Sequence, residues 1–181
     1  MKQTTAPKIN NLKAHIVLTE SGIYCLEEAL RRVEKKCYNN YVVVKDKLTY
    51  IIFPKKGFVN ITGIKTFSKL PQVVPEFCAF FDINASDVSN IIVDNVSASG
   101  NFLRRVNLAN LQKKINGEGF KNRKFFSCHF DRNFFPGSFC KTQGFGTLTL
   151  FSSGKYVVVG SKCLEQVDRI FQEMSVVIST L

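Results

Sequence analysis

The sequence predicts an α+β fold made twice over, each copy running strand, helix, three strands, helix. Three observations carry this. Residues 48 to 63 (LTYIIFPKKGFVNITG) and residues 146 to 160 (GTLTLFSSGKYVVVG) share one plan: a β-rich run ending in Phe, a turn with Gly, and a β-branched run ending in Gly. Ahead of each hairpin stands a helix candidate, Tyr24 to Cys37 and Phe102 to Ile115, and ahead of each helix a strand candidate holding an asparagine. Behind the second hairpin Leu164, Val167, Phe171, Met174, Ile178 and Leu181 recur at gaps of 3 and 4, one apolar stripe of a helix packed on a sheet.

Taken in order, Met1 to Pro7 is a short tail without a hydrophobic stretch, so no signal peptide is visible. The first strand candidate is Ile9 to Leu18, followed by the helix candidate Tyr24 to Cys37 and the first hairpin. The helix candidate closing the first copy, Thr66 to Phe81, contains Pro71, which suits a first turn, and Pro75, which costs a hydrogen bond, so a shorter or bent helix is expected. Asn84 to Ser89 (NASDVS) is polar and turn-forming, and reads as the joint. The organisation expected is a tail at 1–7, a first repeat at 8–83, a linker at 84–89 and a second repeat at 90–181. The second copy opens with the strand candidate Ile91 to Ala98. Asn11 and Asn95 lie 84 residues apart but Phe53 and Phe151 lie 98 apart, so the second copy carries extra loop, placed at 116–124.

Of 181 residues, 25 are Lys or Arg and 14 are Asp or Glu, a net charge of +11. The excess is spread evenly, with 13 basic against 8 acidic residues in 1–90 and 12 against 6 in 91–181. A whole basic domain points to a polyanionic partner. No apolar run approaches the ~20 residues of a membrane span, so no membrane partner is expected. Six cysteines without a CxxC pair, and two histidines outside any catalytic motif, leave few parts for metal or nucleophilic chemistry. No cofactor, metal site or catalytic residue is expected.

Alternation sets Phe145, Thr147, Thr149 and Phe151 on one face of their strand and Leu148 and Leu150 on the other; in the next, Lys155, Val157 and Val159 oppose Tyr156 and Val158. With helices over the leucine face, the opposite face still holds Phe151, Val157 and Val159. That face is either a binding surface or the inside of a sandwich.

At these residues the sequence resembles the TATA-box-binding protein family. The motif is Leu150 to Lys162 (LFSSGKYVVVGSK), with Phe135-Pro136-Gly137 before it and Val106 to Leu111 on the helix. The first half echoes it at Asn11-Leu12, Ala29 to Arg31, Tyr38-Asn39, Ile52-Phe53 and Ile61 to Lys65, so the resemblance runs from about Lys8 to the C-terminus. It implies a two-repeat saddle: a curved ten-stranded antiparallel sheet with four helices on the convex face, and a concave face seated in the minor groove of DNA.

Carried over residue by residue, the resemblance assigns the wedge aromatics to Phe135 and Phe151 in the second half and to Phe53 and Tyr41 in the first, Tyr41 being a departure from phenylalanine. It assigns the central asparagines to Asn11 and Asn95, whose amides suit the acceptors of the A·T groove floor. Thr62, Val157 and Val159 complete the implied DNA contacts. Lys13, Ser97, Asn60 and Thr149 stand where the family is usually apolar, and Lys13, Lys55, Lys56, Lys141 and Lys155 are expected near the phosphates. The last helix bears Glu165, Asp168 and Glu173 against Arg169, reversing the charge of the family's partner-binding side.

The implied function is that of a general transcription initiation factor: binding and bending double-stranded promoter DNA, at a TATA box or AT-rich element, through the minor groove. TFIIB-like and TFIIA-like factors or RNA polymerase components are the implied protein partners. The implied place of action is the nucleus, or a viral transcription site. Two other classes stand beside it: a protein-interaction module with weak or no sequence-specific DNA binding, and a module attached to an enzyme, for which the two repeats leave no room.

Overall fold

The computed structural model describes residues 5–31, 36–37, 40–117 and 125–181. The chain divides into two compact units, Asn11–Asp94 and Asn95–Leu181, the latter together with the chain's first ten residues.

In the Asn11–Asp94 unit the sheet order is β2-β3-β4-β5-β1, with neighbouring strands antiparallel, β1 at Thr5–Leu18, β2 at Lys36–Cys37, β3 at Asn40–Lys45, β4 at Leu48–Phe53 and β5 at Phe58–Ile64. Strand β1 begins at Thr5, inside the expected tail. Its period-2 burial puts Leu12, Ala14, Ile16 and Leu18 inward. Helix α1 spans Glu20–Leu30, starting earlier than the expected Tyr24 and stopping short of Cys37, which lies in β2. The start is set by Thr19, whose hydroxyl accepts from Gly22 N at 3.2 Å, and by Asp87, whose carboxylate accepts from Ser21 Oγ at 2.5 Å. Gly22 is required there: a Cβ would sit 2.6 Å from the Asp87 carbonyl oxygen. Helix α2, Leu70–Phe81, holds Pro71 in its first turn and Pro75 inside, and at 12 residues is shorter than the 16-residue closing helix of the second copy. Its Phe77 and Phe81 rings pack on Tyr50 of β4, with centroids at 5.9 and 6.1 Å. Burial, then the Glu76 and Asp46 charges, push the Tyr50 hydroxyl up to about 12. The expected linker, 84–89, forms a short turn at Ala85–Asp87 and the first residues of β6, Val88–Asn101.

In the second unit the order is β6-β10-β9-β8-β7, with β7 at Phe125–His129, β8 at Gly137–Thr142, β9 at Gly146–Phe151 and β10 at Lys155–Ser161. Helix α3 covers Leu108–Asn116 rather than starting at Phe102. Asn101 Oδ1 accepts from Leu103 N, Leu103 adopts φ 54°, and Asn107 caps Asn110 N, so the local side-chain bonds hold residues before 108 out of the helix. Helix α4 is Leu164–Ser179 and buries Val167, Ile170, Met174, Val177 and Ile178. The stripe's ends, Leu164 and Leu181, stay 39% and 42% exposed. Tyr156 is enclosed by Phe102 and Phe171, and burial with the Asp168 charge raises its hydroxyl well above the ordinary tyrosine range.

Among the described residues nine strands have five residues or more and β2 is a two-residue fragment, against ten expected; four α-helices complete the α+β fold. In each unit the buried side chains lie on one face of the strands, under the helices. The other face is half-exposed, and among the described residues no second sheet covers it, which removes the sandwich reading. No described helix is long and apolar enough to cross a membrane.

Candidate nucleic-acid interface

Residues directly opposite in antiparallel strands share a face, so the register sorts the site. In the Asn11–Asp94 unit Phe53 pairs with Phe58, Thr49 with Thr62, and Asn60 with His15. These residues, with Asn11 and Lys13 on alternate positions of β1, form the open face. In the second unit Phe139 pairs with Thr149, Lys141 with Thr147 and Val157 with Thr149, and Phe151 follows in step. Asn95, Ser97, Val157 and Val159 continue that face, with Val159 40% exposed.

The asparagines are bound alike in both units. Asn11 Oδ1 accepts from Gly63 N at 2.8 Å, and Asn95 Oδ1 accepts from Gly160 N at 2.5 Å. Of an amide side chain's two polar atoms only the oxygen can accept from a backbone N–H, so both amides are oriented with their oxygen committed to the sheet. The nitrogens differ: Asn11 Nδ2 donates to Thr62 Oγ1 at 2.8 Å, whereas Val159 at the matching place offers no acceptor. Both glycines take positive φ, 100° at Gly63 and 87° at Gly160, which turns each N–H toward its asparagine.

The aromatic groups are built on rings absent from the sequence-based site. Phe53 packs against Phe58 with the rings tilted by 31° and their centroids 4.7 Å apart, and Phe135, in the turn before β8, stacks on Phe139 at 4.9 Å and lies 5.9 Å from Phe151. Alternation with Asn60 and Thr62 was the signal for Phe58. Gly137 is needed between the rings, because a Cβ there would lie 2.9 Å from Phe135 and 3.2 Å from Phe151.

Tyr41 is a correction. It pairs with Ile52, which is buried on the helix side, and so occupies the face opposite Phe53. Ile52 corresponds to Leu150, whose partner is Ser138, so Tyr41 matches Ser138 and not Phe135.

Lys55, Lys56, Lys141 and Lys155 are exposed, Lys56 lying 5.9 Å over the Phe53 ring. Lys13 is 4.0 Å from Asp94 Oδ2, and His15 Nδ1 is 2.9 Å from Asp94 Oδ1. Neither Asp94 nor His15 was among the residues that the sequence assigned to this face; carrying the Asn11/Asn95 alignment one residue back would have set Asn10 against Asp94. Away from this face, the buried Cys128 and Cys140 thiols meet at 3.2 Å across β7 and β8, the hydrogen bond from Cys140 lowering Cys128 and raising Cys140. Among the described residues no three His, Cys, Asp or Glu side chains gather as a metal site.

A repeated antiparallel fold with an open face of paired amides and phenylalanines defines a nucleic-acid-binding scaffold. The family described as transcription factor TFIID, or TATA-binding protein, matches residues 90–181, half of the chain. The chain belongs to the TATA-binding protein family, DNA-binding transcription factors without catalytic activity. Among solved structures, the TBP of Methanococcus jannaschii is similar in fold, with a TM-score of 0.75 and 21% identity over 98% of this chain and 100% of that one. A search of curated proteins gives no match.

Proposed function

We propose that the chain is a transcription initiation factor that binds A·T-rich promoter DNA through the minor groove, bends it, and recruits polymerase machinery. The repeated Asn-to-Gly bond is the observation that carries this reading. It commits each amide oxygen to the protein and leaves amide hydrogens as the group available on the open face. The minor-groove edge of an A·T pair presents only acceptors, while a G·C pair adds the guanine amino group, a donor that would meet a donor. Phe53, Phe135 and Phe151 are half-buried flat wedges suited to prying base steps apart. In this reading the open faces form the concave side of a saddle, Thr62, Val157 and Val159 line it, TFIIB-like and TFIIA-like factors or polymerase components dock elsewhere, and the site of action is the nucleus or a viral transcription site.

Bound protein is expected to protect adenine N3, in the minor groove, from methylation and to leave guanine N7, in the major groove, reactive, on duplexes selected from a random pool. The reverse pattern would end the proposal. A second reading, a protein-interaction module, is favoured by the Asp94 carboxylate beside Lys13 and His15, since a carboxylate repels phosphates; it requires that no protection appear at either atom.

A further inference from the structure

The two copies carry matching side-chain pairs of different chemistry next to their asparagines. In the first, His15 Nδ1 meets Asp94 Oδ1 at 2.9 Å; in the second, Ser99 Oγ donates to Asn10 Oδ1 at 3.2 Å. Counting from Asn11 and Asn95, Ser99 stands where His15 stands and Asn10 where Asp94 stands. The same tie between two strands is therefore ionisable in one unit and neutral in the other.

We infer that the His15–Asp94 pair is an affinity-determining element of the DNA interface, and that binding DNA takes up a proton at His15. The inference rests on the reading of the open face as the DNA-binding face. Asp94 is a fixed negative charge, 28% exposed at its side chain, on a surface that must receive a polyanion. Around His15, β6 supplies Asp94; β5 supplies Asn60 and the Phe58 ring at 6.1 Å, which carry no charge; and β1 itself supplies Lys13, 4.0 Å from the other Asp94 oxygen. Lys56, over the Phe53 ring that packs against Phe58, is a further cation on this face. With neutral imidazole, Nδ1–H donates to Asp94 and only Lys13 offsets the carboxylate. The proton gained on acidification goes to Nε2, converting the pair from a net negative to a neutral one and adding a donor. A polyanion favours that form, so affinity is higher on the acid side than on the alkaline side.

The test is the dissociation constant for a fluorescent A·T-rich duplex, measured at constant salt from about pH 5 to about pH 8. It uses the full chain and the double variant His15→Ser with Asp94→Asn, which gives the first half the pair that the second half already has. The wild-type affinity is expected to fall at least about threefold, bounded near tenfold per pH unit for one proton, while the double variant holds one value. Asp94→Asn alone should bind more tightly than wild type at the alkaline end. His129, the chain's other histidine, is unchanged in every variant, so a slope that survives in the double variant belongs elsewhere and overturns the inference. A flat wild-type profile with intact binding overturns it too, and leaves the DNA-binding reading standing. Absence of binding at every pH, with thermal melts showing a folded chain, overturns both.

Discussion

In the first half of the chain Ile16 faces Val59 across β1 and β5; at the matching place in the second half Gly100 faces Tyr156 across β6 and β10. Each pair fills the same gap between sheet and helices, one with two medium side chains and the other with a large one against none. A Cβ on Gly100 would fall 2.4 Å from the Tyr156 hydroxyl and 2.6 Å from its ring. The aromatic centre of the core moves accordingly, from Tyr50 under α2 to Tyr156 between Phe102 and α4's Phe171. Two copies can thus keep one backbone plan while their cores drift apart, because close packing constrains the summed volume of a contact and not its division.

Shrinking or enlarging one member of a pair tests that volume constraint directly. Ile16→Ala should cost about 2–5 kcal/mol by opening a cavity, and Gly100→Ala about 1–3 kcal/mol by overpacking, both read from denaturant unfolding. Because Gly100 has an ordinary φ, its loss comes from the Tyr156 ring alone, and Gly100→Ala should be largely rescued in combination with Tyr156→Val. Additive losses in that double variant would show that the two positions do not share one volume.

The halves also differ at their wedges, which sharpens the comparison at the interface. Replacing Phe135 and Phe151 by Ala should remove most of the DNA bend seen by energy transfer between duplex ends, since unstacking a base step costs a few kcal/mol that the inserted ring must offset. Tyr41→Ala should leave the bend nearly unchanged, because its side chain shares the helix-side face with Ile52. Circular dichroism must show both variants folded, Phe151 being packed against Phe135. A bend that survives loss of both phenylalanines would make them core residues and not wedges.

Much of this architecture was legible in the residues. The hairpins were readable because a strand's side chains alternate with period 2, and Leu148, Leu150, Tyr156 and Val158 are buried as that period requires. Helix starts were not, and for a definite reason. Gly22 reads locally as a breaker, but it is admitted to α1 because Asp87, 65 residues away, lies against it. Asn101 and Asn107 fix the late start of α3 through side-chain bonds to the backbone that no apolar period reports. Tyr41 went wrong by register: in a run of Tyr and Val, counting from sequence alone does not say which residue opposes Ile52, and a one-residue slip exchanges the faces.

The smallest expected difference between the halves lies in how each asparagine is held. Thr62 accepts one Asn11 hydrogen and keeps a second lone pair, whereas Val159 can accept nothing. A guanine amino group brought to the first half would find that lone pair; at the second it would meet only the amide hydrogens of Asn95. The first half should therefore tolerate a G·C pair better than the second. Thr62→Val should lower that tolerance and Val159→Thr should raise it, each by up to about 1 kcal/mol, the net worth of one neutral hydrogen bond. The measurement is relative affinity for duplexes in which a single G·C pair is stepped through an A·T-rich site. Opposite changes at the two ends of the site would show that each half reads its own base pairs through the residue beside its asparagine. Changes of the same sign in both variants would mean that the amide alone sets the preference and that the Thr62/Val159 difference is without consequence for recognition.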